Sequence, residues 1–181
     1  NGLGSVSIGY SIKEINKKII HQLKKGITFS LSSNLETVLA EELIKIIPSC
    51  EMVKFGKNGT DVNSAAIRLA RFTTKRENIA VCGYHGWQDW YITSTTMDGG
   101  IPKKLKDYTD YFNFNDIDSL KKLFKKKAYA AVIIEPVSVD EPKNNFLQKV
   151  KDLCNQNGTI LIFDEICSGF RVNIGGAQKL Y

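Results

Sequence analysis

Two short runs of consecutive apolar side chains, Ala130-Ala131-Val132-Ile133-Ile134 and Thr159-Ile160-Leu161-Ile162-Phe163, constrain this chain more than any other feature. Runs of that length without polar alternation suit strands covered on both faces, the usual condition of a parallel sheet. Between them Phe146, Leu147, Val150, Leu153 and Cys154 recur at helical spacing, and Gly158 stands where such a helix ends. Strand, helix, strand is a βαβ unit, and these are right-handed in nearly all proteins. Each run ends in carboxylates, Glu135 after the first and Asp164-Glu165 after the second. Open α/β sheets gather ligands beyond the carboxyl ends of their strands, so these acids mark the expected edge of a site.

The rest of the chain reads as further α/β material. Ile12, Ile15, Ile19, Ile20 and Leu23 predict a helix ended by Gly26, and Leu35, Val38, Leu39, Leu43, Ile46 and Ile47 predict a second, closed by Pro48. Met52 to Phe55 reads as a short strand that leads through Gly56-Lys57-Asn58-Gly59-Thr60-Asp61 into a helix carrying Val62, Ala65, Ala66, Leu69 and Ala70. Ile79 to Cys82 reads as a strand running into Gly83-Tyr84-His85-Gly86-Trp87, and residues 88–114 show no periodicity beyond loop signals. Asn115 or Asp116 can cap a helix whose apolar face is Ile117, Leu120, Leu123 and Phe124.

Composition excludes several functions. The net charge of +6 on 181 residues comes from lysine, with Arg only at 68, 71, 76 and 171. The lysine runs at 103–106 and 121–127 lack interleaved Arg or aromatic residues, so they read as solvated helix faces and no nucleic-acid partner is expected. With two histidines and four isolated cysteines no metal site is expected, and the thiols fit a reduced, cytoplasmic setting. No apolar stretch approaches the roughly 20 residues of a membrane helix. The chain opens at Asn1 and stops at Tyr181 soon after a strand, so it is expected to be a piece of a longer protein.

The Gly56 to Thr60 turn can hold an anion, because glycine lets backbone N–H groups approach and a helix N-terminus follows. It has neither the GxxxxGK[ST] of a P-loop nor the GxGxxG of a dinucleotide site, and an ordinary turn with Thr60 or Asp61 as helix cap is the plainer reading.

The segment Ile162-Phe163-Asp164-Glu165-Ile166-Cys167-Ser168-Gly169-Phe170-Arg171 closely resembles one in class III pyridoxal-phosphate aminotransferases. Gly59-Thr60-Asp61 with Ala66-Ile67-Arg68-Leu69-Ala70-Arg71, and Tyr84-His85-Gly86, are similar to two further segments of that family. The resemblance implies a fold-type-I large domain, present in part, with a mostly parallel sheet and helices on both faces. Residues 1–30 would form an N-terminal segment and 31–181 the front of the cofactor-binding domain. It implies pyridoxal 5'-phosphate as cofactor, its phosphate on Asn58, Gly59 and Thr60, and its ring stacked on Tyr84 with His85 and Ile166 adjoining. Asp164 would hold the proton on the pyridine nitrogen. Glu135 and Glu165 would support these groups, Arg171 would make an ion pair or meet an acidic substrate, and Trp87 and Trp90 would pack. Asn58 stands where the family has Ser, and its amide can still donate a hydrogen bond.

The Schiff-base lysine of the family is expected about 25 to 30 residues after Asp164, beyond this chain, and Lys179 comes too early for it. The 181 residues alone are therefore expected to be inactive. The intact protein is expected to be a homodimeric aminotransferase that moves an amino group from an amine donor to a carbonyl acceptor such as a keto sugar. Glutamate-1-semialdehyde aminomutase is the near alternative, disfavoured by Leu3 where Trp is familiar and by Asn58. A non-catalytic relative used for binding or dimerisation, and a Rossmann-type nucleotide binder, are the alternatives from other classes.

Overall fold

The computed structural model of the protein describes residues 4–137 and 139–181. Gly2 and Leu3 lie outside the described residues. The chain forms two compact units, Asn1–Val53 and Lys54–Tyr181. The first holds helices α1 (Lys13–Leu23) and α2 (Asn34–Ile46), neither of which buries a residue. A capping box starts α2: Ser33 takes the N-cap, and the Glu36 carboxylate accepts from its backbone N–H at 2.8 Å. The expected strand from Met52 to Phe55 does not form, because no described strand pairs with this stretch and Met52 stays exposed.

The second unit is the α/β layer. Helix α3 (Gly59–Thr74) precedes β1 (Asn78–Cys82), and the short α4 (Asp89–Ile92) and a 3-10 turn (Lys103–Tyr108) lead to β2 (Thr109–Tyr111). Then come α5 (Ile117–Phe124), β3 (Tyr129–Ile134), α6 (Phe146–Gln156) and β4 (Ile160–Phe163). All pairings are parallel, in the order β2-β1-β3-β4. Because β1 connects to one side and the chain returns to the other for β3, the strand order switches between β1 and β3. That is where doubly wound sheets open a crevice at their carboxyl ends.

The pleat divides the core in two. Ile79 and Val81 of β1, with Ala131 and Ile133 of β3, pack against Ile67 and Ala70 of α3. Ala80 and Cys82, with Val132 and Ile134, face Leu120 of α5 and Phe146 and Val150 of α6. A bulge between Asn78 and Ile79 lets Tyr129 join the α5/α6 face despite its odd number, and its hydroxyl donates to Asp110 at 2.8 Å. At the opposite, amino-terminal end of the strands, Arg76 Nη1 donates to the carbonyls of Tyr129, Asn157 and Gly158 at 3.1, 2.7 and 3.0 Å.

Candidate active site

Asp164 follows β4 directly, and its N–H donates to the Ile134 carbonyl at 2.9 Å, continuing the β3/β4 ladder by one step. The side chain therefore emerges at the carboxyl end of the sheet, yet it is only 4% exposed. A buried carboxylate requires donors, and it has three. Asn63 Nδ2 and His85 Nδ1 meet Oδ2 at 2.8 and 2.9 Å, and the Ile166 N–H donates to Oδ1 at 3.2 Å. His85 lies behind Asp164, fully buried, with Nε2 at 3.2 Å from the Cys82 carbonyl.

Glu135, after β3, does a second positioning job. Its Oε2 accepts the Tyr84 N–H at 2.7 Å and so fixes the turn after β1. Gly83 makes this approach feasible: at φ 105° it is left-handed, and a Cβ there would stand 2.5 Å from Glu135 Oε2. The turn presents Tyr84, 63% exposed as a residue, with its ring braced edge-on by Tyr91 at 5.7 Å, whose hydroxyl donates to the Gly83 carbonyl. Burial, with Glu135 nearby, pushes the Tyr91 hydroxyl and the Cys82 thiol both up to about 12, so each stays protonated. Burial and Glu135 also raise the Cys167 thiol.

Helix α3 begins against these turns. Asn58 is its N-cap, with Oδ1 accepting the Asp61 N–H at 3.1 Å, so the cap is neither Thr60 nor Asp61. Asn58 wins because it is the residue in extended conformation just before the first helical turn, and its short amide reaches the N3 donor. The backbone N–H groups of Gly59 and Thr60 have no partner among the described residues, and they sit at the positive end of a 16-residue helix. The three segments converge through close packing. Ile166 Cδ1 lies where a Cβ on Gly59 would be, and the Thr60 side chain occupies the corresponding space at Gly86. The Thr60 hydroxyl is buried there without a partner among the described residues.

The predicted residues Asn58, Gly59, Thr60, Tyr84, His85, Asp164 and Ile166 thus come from three separate stretches that meet at the carboxyl ends of β1 and β4. A cleft of about 190 Å³ is lined by Gly83, Tyr111, Glu135 and Asp140, and by none of these seven residues. Glu165 turns away to the following loop, accepting from Ser168 Oγ at 2.6 Å and from the N–H groups of Ala177 and Gln178 at 2.7 and 3.0 Å. Lys179 lies in the 3-10 turn (Ala177–Lys179) that Glu165 holds. Arg171 donates to the Cys167 carbonyl at 2.7 Å. Trp90 donates to Ser64, whereas Trp87 is exposed. Asn63, bonded to Asp164, is the residue of this cluster that sequence reasoning missed. Its signal was a polar side chain at the head of the buried i, i+4, i+7 stripe it forms with Ile67 and Ala70.

Against known proteins, residues 1–177 match the model of the family described as aminotransferase class-III. The chain belongs to this family. It is 43% identical to the 3-aminobutyryl-CoA aminotransferase of Cloacimonas acidaminovorans over 98% of its own length and 44% of that protein. It is 39% identical to the glutamate-1-semialdehyde 2,1-aminomutase of Alkaliphilus oremlandii, again over 98% of itself and 46% of the relative. A solved transaminase with PLP bound superposes with a TM-score of 0.92 at 27% identity, covering 99% of this chain and 46% of that one. The chain therefore spans less than half the length of the class-III relatives it matches. Its parallel sheet with helices on both faces is part of the fold-type-I domain that such transaminases share.

Proposed function

We propose that the intact protein is a pyridoxal-phosphate-dependent aminotransferase that moves an amino group from an amine donor to a carbonyl acceptor. The observation that carries this reading is the Asp164 carboxylate, buried and oriented by three donors at the sheet's carboxyl edge. The residues around it fit the cofactor. The unpartnered N–H groups of Gly59 and Thr60, with the Asn58 amide, suit a phosphate dianion at a helix N-terminus. The exposed, braced ring of Tyr84 suits a planar heterocycle. Asp164 keeps a proton on a ring nitrogen brought against it, and Ile166 fills the space beside Gly59.

Bound pyridoxal phosphate supplies an electron sink for the pair released when the substrate C–H bond breaks, a role that requires its ring nitrogen to stay protonated. In this chain Asp164 holds that proton, the start of α3 holds the anion, and Glu135 keeps Tyr84 in position through its backbone N–H. The lysine that would move the substrate proton is assigned to the remainder of the intact protein, as is the rest of the pocket. We assign the division of the chain into an N-terminal segment, 1–30, and the front of the cofactor domain, 31–181, on the same reading. A homodimer in the cytoplasm belongs to it too. In support, no described helix is long and apolar enough to cross a membrane, and all four cysteines are free.

The test is a titration of the intact protein with pyridoxal phosphate, followed by assays with β-amino thioester donors of the kind named for the first relative and with carbonyl acceptors including keto sugars. Amino transfer is expected, and Asp164→Asn should lower kcat by at least about a hundredfold, on the scale of losing one preorganised electrostatic group. A protein that only isomerises glutamate 1-semialdehyde would be an aminomutase, the reading that the second relative favours. Binding of NAD without response to pyridoxal phosphate would overturn both.

A further inference from the structure

His85 is bonded in a way that a neutral imidazole cannot satisfy. Its Nε2 faces the Cys82 carbonyl at 3.2 Å and its Nδ1 faces the Asp164 carboxylate at 2.9 Å, and both partners are acceptors. A neutral ring carries one N–H, and two donated hydrogen bonds need two. Asn63 Nδ2 donates to the same Oδ2 at 2.8 Å and the Ile166 N–H donates to Oδ1 at 3.2 Å. All three side chains are more than nine-tenths buried, with 1, 4 and 5% exposure for His85, Asp164 and Asn63. The partners of Asp164 therefore come from inside the protein rather than from solvent. With Oδ2 taken twice, Oδ1 keeps an accepting position among the described residues.

We propose that His85, as an imidazolium, and Asn63 are positioning residues that act through Asp164, holding its carboxylate charged and turned so that Oδ1 receives the ring N–H of a bound pyridinium. This rests on the function proposed above and adds to it the pair of residues that sets the strength of the contact with the ring nitrogen. Neither residue touches the ligand in this arrangement. Their effect must appear only where a ligand has a ring nitrogen to offer.

That condition supplies the experiment. The intact apoprotein, and its His85→Asn and Asn63→Ala variants, are titrated with pyridoxal phosphate and with its 1-deaza analogue, in which C–H replaces the ring nitrogen. Each variant should weaken pyridoxal phosphate by about tenfold or more, the scale of a hydrogen bond to a charged group, and change the deaza analogue by no more than about twofold. Parallel losses for both ligands would show a merely structural role and overturn the inference while leaving the function standing. Failure of the wild type to bind either ligand would overturn the function and the inference with it. Nitrogen NMR of the wild-type apoprotein gives a readout that survives misfolding of a variant. Both His85 nitrogens should carry protons, and a bare Nδ1 would overturn the proposal.

Discussion

At the scale of single residues, the candidate site depends on two exchanges of space between backbone and side chain. Gly83 has φ 105°, and the position of its absent Cβ is 2.5 Å from Glu135 Oε2 and 2.9 Å from Glu135 Cγ. Gly83→Ala therefore combines an unfavourable backbone region with a clash against a carboxylate that cannot move without releasing the Tyr84 N–H. We expect a loss of about 1–3 kcal/mol in the unfolding free energy of the intact protein, read from urea midpoints. Cofactor affinity should fall with it, because the Tyr84 turn loses its anchor. Glu135→Gln retains an acceptor oxygen for Tyr84 and should cost less than Gly83→Ala in both readouts.

At the scale of elements, α3 and the sheet are tied together at opposite ends. Asn58 caps α3 at the site, and Asn58→Ala should cost about 1 kcal/mol of stability while Asn58→Ser costs little, checked by denaturant unfolding. At the far end Arg76 links the loop after α3 to the start of β3 and the turn before β4. Arg76→Met keeps the apolar stem but leaves these carbonyls to water, and an expected loss of about 2 kcal/mol is measurable in the same way. The elements themselves were legible to different degrees. The β3-α6-β4 unit stood out because continuous apolar runs and one helical stripe leave no other assignment. β2 was hidden, being three residues long, with the polar side chains of Thr109 and Asp110 bonded to Trp90 and Tyr129. The strand expected at Met52 to Phe55 had the right residue types, but strand formation is decided by a neighbour that local sequence does not reveal. The candidate site was marked in the sequence by Asp164, Tyr84 and the α3 turn. The pairing of Asn63 and His85 with Asp164 was not, because it joins residues 101 and 79 positions apart.

At the scale of the whole molecule, the core stores acidic protons. Burial raises the Cys82 and Cys154 thiols from an ordinary value near 9 to about 12, and the Tyr91 phenol from near 10 to about 12. The Tyr129 phenol is also raised, by burial and by its bond to Asp110. In the unfolded chain these groups ionise at their ordinary values, so between about pH 9 and 12 the native state binds more protons than the unfolded state. Stability then falls as pH rises. The contribution is fully present below the unfolded values and is lost progressively up to the folded ones. Each thiol contributes a slope of up to about 1.4 kcal/mol per pH unit in that window, and the tyrosines add to it above about pH 10. Urea midpoints of the intact protein should therefore be flat from pH 7 to 8 and fall steeply by pH 10.5. In the Cys82→Ala/Cys154→Ala double variant, which starts less stable because two buried side chains are truncated, the fall between pH 9 and 10 should be much shallower. Equal slopes in the variant and the wild type would mean that the alkaline loss arises elsewhere, and that these thiols are not the proton store their burial implies.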